Sequence, residues 1–297
     1  MTPDAFLFHV DEVPLVGIIH PGAQQARTGV LIIVGGPQYR VGSHRQFLLL
    51  ARHLSAQGIP VMRFDYRGMG DAGGDQRDFE HIDEDIESAI DAFQSRMPHL
   101  ERVVIWGLCD AASAALMYAW RDPRVAGLVL LNPWVRTEQG LAKAYLKHYY
   151  VKRMFSRDFW SGVFSGRFNP LTSLRSLADL VRRTVARPPQ SSRNSDARSS
   201  RAAALQGELP ERMASGWQRF EGRILLILSG DDLTAAEFRD VAAGSRAWSG
   251  LLSESRVTLH EMDQANHTFS RREWRDDVSR ATLAWVKQVD SSRDADW

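Results

Sequence analysis

Several features are scarce in this chain, and each scarcity excludes a class of protein. The 297 residues include one cysteine, which excludes an intramolecular disulfide and fits a reducing compartment. No apolar run approaches the roughly 18 residues that a bilayer-spanning helix needs. The start of the chain carries Asp4, Asp11 and Glu12, where a secretory signal would be basic and then apolar. We therefore expect a cytoplasmic protein without stable membrane insertion.

An excess of charge and a cluster of metal ligands are also missing. The formal net charge is +1, which gives no reason to expect nucleic acid as a partner. No paired Cys/His cluster predicts a metal site. Gly68-Met69-Gly70 is too short and wrongly placed for a dinucleotide fingerprint. We expect neither a metal nor an organic cofactor.

Strand-like and helix-like segments alternate along most of the chain. The 44% hydrophobic content allows one large domain with a substantial core. An antiparallel pair is predicted at 6–10 and 15–20. The later predicted strands are 30–34, 60–64, 103–106, 127–131, 224–228 and 257–262, and the predicted helices are 45–57, 82–93, 110–121, 238–252 and 274–289. This alternation predicts an α/β fold whose mostly parallel sheet is flanked by helices, with the working site beyond the carboxyl ends of the strands.

One segment, residues 136–220, interrupts the alternation. It is rich in basic and aromatic side chains at helical spacing, so we predict a helical lid inserted into a core of residues 1–135 and 221–297. Within the insertion, residues near 187–203 are rich in proline, serine and arginine and predict a flexible linker. The aromatic side chains either attach the lid helices to the core or line a substrate channel.

The single cysteine lies where a strand should turn sharply into a helix. Gly107-Leu108-Cys109-Asp110-Ala111 joins a β-branched apolar run to an alanine-rich one. A nucleophile in such a turn has a strained backbone and needs small residues two positions before and after it, here Gly107 and Ala111. The N–H of Asp110 and the helix N-terminus would favour a thiolate or an oxyanion. An inert, buried cysteine is the alternative.

An acid and a histidine follow later in the chain, each just after a predicted strand. The strand at 224–228 leads into Asp231 and Asp232. Adjacent side chains point in different directions, so only one of them can orient a histidine, and we favour Asp232. His267 lies in the loop between the strand at 257–262 and the last helix. We predict that Cys109, Asp232 and His267 form a catalytic triad.

With nucleophile, acid and histidine in this order, the chain resembles the α/β-hydrolase superfamily, with cysteine where serine is usual. More closely, it resembles the hydrolase 1 subfamily associated with the exosortase A system of exopolysaccharide-producing bacteria. The resemblance implies an α/β-hydrolase fold, the Cys109–Asp232–His267 triad, and a link to a polysaccharide and protein-sorting gene cluster. The motifs that carry it are Gly35–Arg45, Phe64–Asp71, Gly107–Ala111 and Ser229–Thr234.

The loop after the strand at 30–34 departs from the superfamily pattern. Many relatives have His-Gly followed by a residue whose N–H helps to bind the oxyanion, but here Gly35-Gly36 is followed by Pro37, which has no N–H. We therefore expect the oxyanion hole to combine the N–H of Asp110 with a donor from the backbone or side chain of Gln38.

Three residues of the same loop are candidates for substrate binding: Gly36, Arg40 and His44. Gly36 can adopt the torsions that such a turn requires. Arg40 and His44 could bind an anionic substrate group, although surface salt bridges are the alternative.

A cysteine nucleophile narrows the chemistry. Its acyl-enzyme is a thioester, which can pass the acyl group to water, an amine, an alcohol or another thiol. Activated esters, thioesters and lactones are better substrates than amides, because the leaving group must compete with the Cys109 thiolate. The sequence predicts a cysteine-dependent ester or thioester hydrolase or acyltransferase that acts on a small-molecule acyl substrate. The alternative is a catalytically silent hydrolase fold that serves as a binding or scaffold protein.

Overall fold

The computed structural model describes residues 2–36, 38–135 and 207–291. The chain divides into two compact units, one made of residues 1–135 with 207–297 and the other of residues 136–206. The predicted lid helices, the linker near 187–203 and most of the predicted insertion lie in 136–206, outside the described residues. No helix in the described part is long and apolar enough to cross a membrane.

The first unit is built on one eight-stranded sheet with the order β1-β2-β4-β3-β5-β6-β7-β8. β2 pairs antiparallel with both β1 and β4, and all the other pairs are parallel. The strands are β1 (Asp4–Val10), β2 (Val13–His20), β3 (Thr28–Ile33), β4 (Val61–Phe64), β5 (Arg102–Leu108), β6 (Val125–Leu131), β7 (Arg223–Asp231) and β8 (Val257–Asn266).

Helices cover both faces of this sheet. In the described residues they are α1 (Gln46–Ala56), α2 (Asp83–Arg96), α3 (Asp110–Tyr118), α4 (Leu209–Arg219), α5 (Leu233–Gly244) and α6 (Arg272–Ser291). Single 3₁₀ turns occur at Ser43–Arg45, Phe79–His81, Ala119–Arg121, Arg246–Trp248 and Leu251–Ser253. The predicted α/β fold with a mostly parallel sheet flanked by helices is confirmed.

The hydrophobic core has two layers, one on each face of the sheet. Along β3, Leu31 and Ile33 join the layer under α2 and α3, while Val30 and Ile32 join the layer under α1 and α6. All four are fully buried. Burial on both faces explains why the central strands are continuous apolar runs, whereas β1 alternates buried and exposed residues.

The structure differs from the sequence-based expectation in two strands and two helices. The strands β7 and β8 continue to Asp231 and Asn266, beyond their predicted ends at 228 and 262. The helix predicted at 238–252 is α5, which begins at Leu233 because the Asp232 carboxylate accepts hydrogen bonds from the backbone N–H groups of Thr234 and Ala235 at 3.3 and 3.0 Å. Residues 207–220, assigned to the insertion by composition, belong to the first unit as α4. The buried Trp217 of α4 packs edge-on against Trp248, with ring centroids 5.5 Å apart. The core therefore resumes at residue 207 rather than at 221.

Candidate active site

Cys109 occupies the turn between β5 and α3, in a backbone conformation that few residues with a Cβ adopt. Its φ and ψ are 62° and −124°. A Cβ on Gly107 would lie 2.7 Å from backbone atoms of Ala111, so the turn closes only with glycine at that position. The predicted small-residue requirement thus has a steric cause in the structure. The cysteine is free and partly accessible.

Both backbone groups of Cys109 are held by the end of β6 and the turn after it. The Cys109 N–H donates to the Leu131 carbonyl at 2.8 Å, and the Cys109 carbonyl accepts from the Trp134 N–H at 3.2 Å. The buried Ser113 hydroxyl donates to the Trp134 carbonyl at 2.6 Å. These contacts fix the strained turn from the neighbouring strand.

His267 and Asp232 meet at the carboxyl ends of β7 and β8. Nδ1 of His267 lies 3.0 Å from Oδ2 of Asp232, whose side chain is 6% exposed. Asp231 is exposed and pairs in the ladder with Asn266 of β8. The structure therefore places Asp232, and not its neighbour, against the imidazole.

The charge state of His267 links it to both Asp232 and Cys109. Hydrogen bonds to the Asp232 carboxylate, the largest cause, and to the Cys109 side chain raise the pKa of His267 to about 10, while burial opposes the shift. With Nδ1 committed to Asp232, Nε2 is the ring nitrogen left for the sulfur. The three predicted residues are thus brought together from three separate loops, and the imidazolium form is favoured at neutral pH.

The side chain of Asp110 lies against the turn after β3. Its carboxylate accepts the Gly36 N–H at 2.7 and 2.9 Å and the Ala111 N–H at 2.9 Å. Burial raises the pKa of the Asp110 carboxyl, while these N–H groups and the nearby charge of His267 oppose the rise. A Cβ on Gly35 would lie 2.4 Å from an Asp110 oxygen, so the close approach needs glycine there. The Gly36 N–H is consequently already paired.

Gln38 is also largely engaged within its own loop. Its N–H donates to the Gly36 carbonyl at 2.8 Å, and its side-chain Oε1 accepts the Ser43 N–H at 3.0 Å. Of the two routes that the sequence left open for an oxyanion donor, the backbone route is therefore occupied. The side-chain nitrogen Nε2 of Gln38 takes part in neither of these two bonds.

Arg40, a predicted substrate-binding residue, is bound to other parts of the chain. Its guanidinium pairs with the fully buried Asp65 and, at 2.7 Å, with Asp71. The Arg40 N–H donates to Asp65 at 2.6 Å, and its carbonyl accepts from the buried Arg63. Arg40 therefore stabilises the loop after β3, because its guanidinium is already paired with the carboxylates of Asp65 and Asp71.

His44 lies on the surface near the start of α1. It is exposed and has a φ of 53°, and Arg45 beside it has a φ of 60°. The structure gives His44 no hydrogen bond to Cys109, Asp232 or His267, so it is not joined to the cluster that those residues form.

Asn132 also takes part in this site, although it is not among the residues that the sequence motifs predict. It follows β6 directly, is fully buried and has a φ of 43°. Its carboxamide contacts Ser229, at the end of β7, and the carbonyl of His267. The available signal was a lone polar residue between the apolar run Leu128–Leu131 and Pro133.

No metal centre is formed by the described residues. Within 2–36, 38–135 and 207–291, no group of three His, Cys, Asp or Glu side chains is placed to hold an ion. The chemistry that the site can support comes from a thiol, an imidazole and a carboxylate.

The fold and the placement of these groups define an α/β hydrolase, and the sequence agrees. Residues 30–281 match the model of the alpha/beta hydrolase family, so the chain belongs to that family. No curated protein sequence matches the chain.

Solved structures with the same fold share little sequence with this chain. An esterase of Pyrococcus furiosus superposes with a TM-score of 0.63 at 14% identity, covering 97% of this chain and 92% of that one. The alpha/beta hydrolase GrgF from a Penicillium species gives 0.59 at 16%, covering 98% of each chain. An alpha-beta serine hydrolase homologue from Coxiella burnetii gives 0.54 at 17%, covering 95% and 98%. At these identities the similarity shows the fold.

Proposed function

We propose that this protein is a cysteine-dependent hydrolase or acyltransferase that takes an ester or thioester through an acyl-enzyme on Cys109. One observation carries the proposal: the side chain of Cys109, in a strained turn after β5, shares a hydrogen bond with an imidazole that Asp232 holds. A nucleophile, a base and a group that orients the base are the elements of covalent acyl transfer.

Because its pKa is raised, His267 is proposed to carry the proton that the leaving group takes up. In the proposed first step the His267 imidazolium pairs with a Cys109 thiolate. The thiolate attacks the substrate carbonyl carbon, and the C=O electron pair moves to oxygen. The intermediate collapses, the bond to the leaving group breaks, and the leaving group takes the His267 proton. Water or another acceptor then gives its proton to His267, attacks the thioester and releases the Cys109 sulfur.

The negative oxygen of the intermediate needs hydrogen-bond donors. The proposal keeps the backbone N–H of Asp110 as one donor, although the carboxylate of the same residue also accepts from it. It takes the side-chain Nε2 of Gln38 as the second donor, because the N–H groups of Gly36 and Gln38 are already paired. In this proposal Arg40 does not bind substrate, because Asp65 and Asp71 already pair with it. The exposed His44 is kept as a residue that contacts the substrate at the surface.

The proposed substrate is a small acyl ester or thioester. Its leaving group must compete with the Cys109 thiolate, which disfavours amides. The names of two solved structures describe an esterase and a serine hydrolase homologue, and both agree with acyl chemistry on this fold. A cytoplasmic role linked to exopolysaccharide and exosortase systems rests on the motif resemblance of four segments, Gly35–Arg45, Phe64–Asp71, Gly107–Ala111 and Ser229–Thr234.

The nucleophile is tested with Cys109→Ala and Cys109→Ser on a panel of aryl esters and acyl thioesters. We expect Cys109→Ala to lose turnover and Cys109→Ser to retain a weak fraction, since a hydroxyl is a poorer nucleophile than a thiolate. Intact mass of the wild type, quenched during turnover, should show one acyl group, which peptide mapping places on Cys109. Unchanged turnover in a folded Cys109→Ala variant would overturn the assignment.

The two adjacent acids provide a matched pair for the imidazole. We expect Asp232→Asn to lower kcat/KM by roughly tenfold to a hundredfold, because the neutral amide no longer stabilises the imidazolium. Asp231→Asn, at an exposed site, should change kcat/KM by less than about twofold. Equal losses in the two variants would contradict the role given to Asp232.

A silent binding protein is the second candidate, and one observation favours it. The Asp110 carboxylate occupies the Gly36 N–H, a donor that an oxyanion would otherwise use. Brief treatment with limiting iodoacetamide, together with the substrate panel, separates the two candidates. Fast single labelling of Cys109 with turnover of an ester or thioester supports the enzyme, whereas almost no labelling and no turnover across the panel support the binding protein.

A further inference from the structure

The end of β6 holds a polar residue with an unusual combination of properties. Asn132 is fully buried, and its backbone has a φ of 43°, a region that asparagine tolerates better than most residues. Burying a carboxamide costs free energy unless its donors and acceptor are bonded. The Asn132 carboxamide is therefore expected to form hydrogen bonds with all of its donors and its acceptor.

The Asn132 carboxamide joins two elements that are far from it in sequence. Oδ1 accepts the Ser229 N–H at 2.9 Å, and Nδ2 donates to the Ser229 hydroxyl at 2.9 Å and to the His267 carbonyl at 3.2 Å. Both Nδ2 hydrogens and the oxygen thus have partners. The Ser229 hydroxyl in turn donates to the carbonyl of Asn266. One side chain ties the end of β7 to the loop after β8.

These two elements carry the acid and the base of the site. Ser229 lies three residues before Asp232, and the bonded carbonyl belongs to His267 itself. If the end of β7 and the loop after β8 moved apart, the 3.0 Å contact between Asp232 Oδ2 and His267 Nδ1 would lengthen. We infer that Asn132 is a positioning residue that sets the distance between Asp232 and His267; its effect on turnover rests on the function proposed above.

The same segment also holds the nucleophile. Leu131 and Trp134, on either side of Asn132, bond the N–H and the carbonyl of Cys109. The Asn132 N–H is fixed by the Ile227 carbonyl of β7 at 3.1 Å. The turn at residues 131–134 therefore contacts the elements of Cys109, Asp232 and His267 together, and Asn132 supplies the contacts to the acid and base.

The test removes the carboxamide without adding backbone strain. Asn132→Gly keeps the positive φ, since glycine adopts it freely. Ser229→Ala is a milder second variant, which removes the hydroxyl partner and leaves the other two Asn132 bonds. Thr28→Val is the matched control, because it loses a side-chain hydrogen bond to Asp290 at the first residue of β3, among the amino ends of the parallel strands and away from the site.

The first readout is the pKa of His267, measured by NMR titration and assigned with His267→Ala. We expect it to fall from about 10 toward the ordinary value in Asn132→Gly, to fall less in Ser229→Ala, and to stay in Thr28→Val. This measurement needs no substrate, so it tests the positioning of the pair even if the proposed function fails. A His267 pKa unchanged in both site variants would overturn the inference.

The second readout is turnover of the best ester or thioester substrate. We expect kcat to fall by about tenfold to a hundredfold in Asn132→Gly with KM within about twofold, because small displacements of catalytic groups mainly reduce the rate of the bound complex. If Asn132 acted only by stabilising the fold, Thr28→Val would lose as much kcat as Asn132→Gly when the two variants are equally stable. If the pKa shifts as expected but Cys109→Ala retains turnover, the proposed function fails and the positioning role of Asn132 stands.

Discussion

Cys109 illustrates how one residue depends on the bonds around it. A left-handed backbone costs a residue with a Cβ about 1–3 kcal/mol, and the φ of Cys109 is 62°. Leu131 and Trp134 hold its N–H and its carbonyl from β6 and the turn after it. These bonds do not involve the sulfur, so Cys109→Ala and Cys109→Ser should keep the turn and report on chemistry alone.

A pH dependence of stability follows from the raised pKa of His267. A histidine whose pKa is raised on folding stabilises the protein fully below its ordinary value of 6.5, and this contribution is lost as the pH rises through about 10. The groups that bear on the imidazole are Asp232, Cys109 and the Asp110 carboxylate.

We therefore expect wild type to exceed Asp232→Asn in the free energy of unfolding by a constant amount between about pH 5 and 6.5, and the difference to shrink between pH 6.5 and 10. Asparagine caps a helix as well as aspartate does, so the cap of α5 persists in the variant. Urea unfolding at four or five pH values measures the difference. A difference that grows with pH would contradict the charge assigned to His267.

At the scale of the elements, α4 shows that a helix flanking the predicted lid is part of the core. Met213, Ala214 and Trp217 are buried, and α4 packs on α3 closely enough that a Cβ on Gly216 would lie 2.4 Å from the Leu116 carbonyl oxygen. The apolar face of α4 is therefore buried inside the first unit, which also contains the sheet.

This contact gives a prediction for α4. Gly216→Ala should destabilise the protein by roughly 1–3 kcal/mol, because the added methyl meets backbone and the helices must separate. Gly244→Ala is the control: a Cβ there meets nothing within 4 Å, and alanine in a helix should be neutral or stabilising by up to about 1 kcal/mol. Urea unfolding of both variants decides, and equal effects would mean that α4 does not pack on α3 as described.

At the scale of the whole molecule, a buried ion pair connects the loop after β4 to α2. Arg67 is 4% exposed and donates from Nη2 to the fully buried Asp85 at 2.8 Å, and its N–H donates to the same carboxylate. Glu84 adds a further bond at 2.8 Å. Hydrogen bonds to Asp85 raise the pKa of the Arg67 guanidinium, so the guanidinium stays charged.

Breaking this pair should be costly. Arg67→Met leaves a buried carboxylate without its cation and should lower the free energy of unfolding by about 3–5 kcal/mol. The double variant Arg67→Met with Asp85→Asn should regain most of the loss, because a neutral amide oxygen still accepts the backbone N–H. Arg27→Gln, at an exposed pair with Glu101, should cost less than about 1 kcal/mol. A small loss in Arg67→Met would show that the pair is not buried in solution.

The sequence by itself determined the succession of strands and helices and the order in which Cys109, Asp232 and His267 follow their strands. These signals are local: a strand buried on both faces must be continuously apolar, and a turn as tight as that at Cys109 requires Gly107. The resemblance added the α/β-hydrolase superfamily, which the match over residues 30–281 confirms.

The tertiary structure alone decided the partners of individual side chains. It places Asp232 rather than Asp231 on His267, commits Arg40 to Asp65, and assigns α4 to the core. It also brings Asn132 to Ser229 across 97 positions of sequence. Sequence patterns could not show these contacts, because each depends on which strand ends lie side by side in the sheet and not on the spacing of residues along the chain.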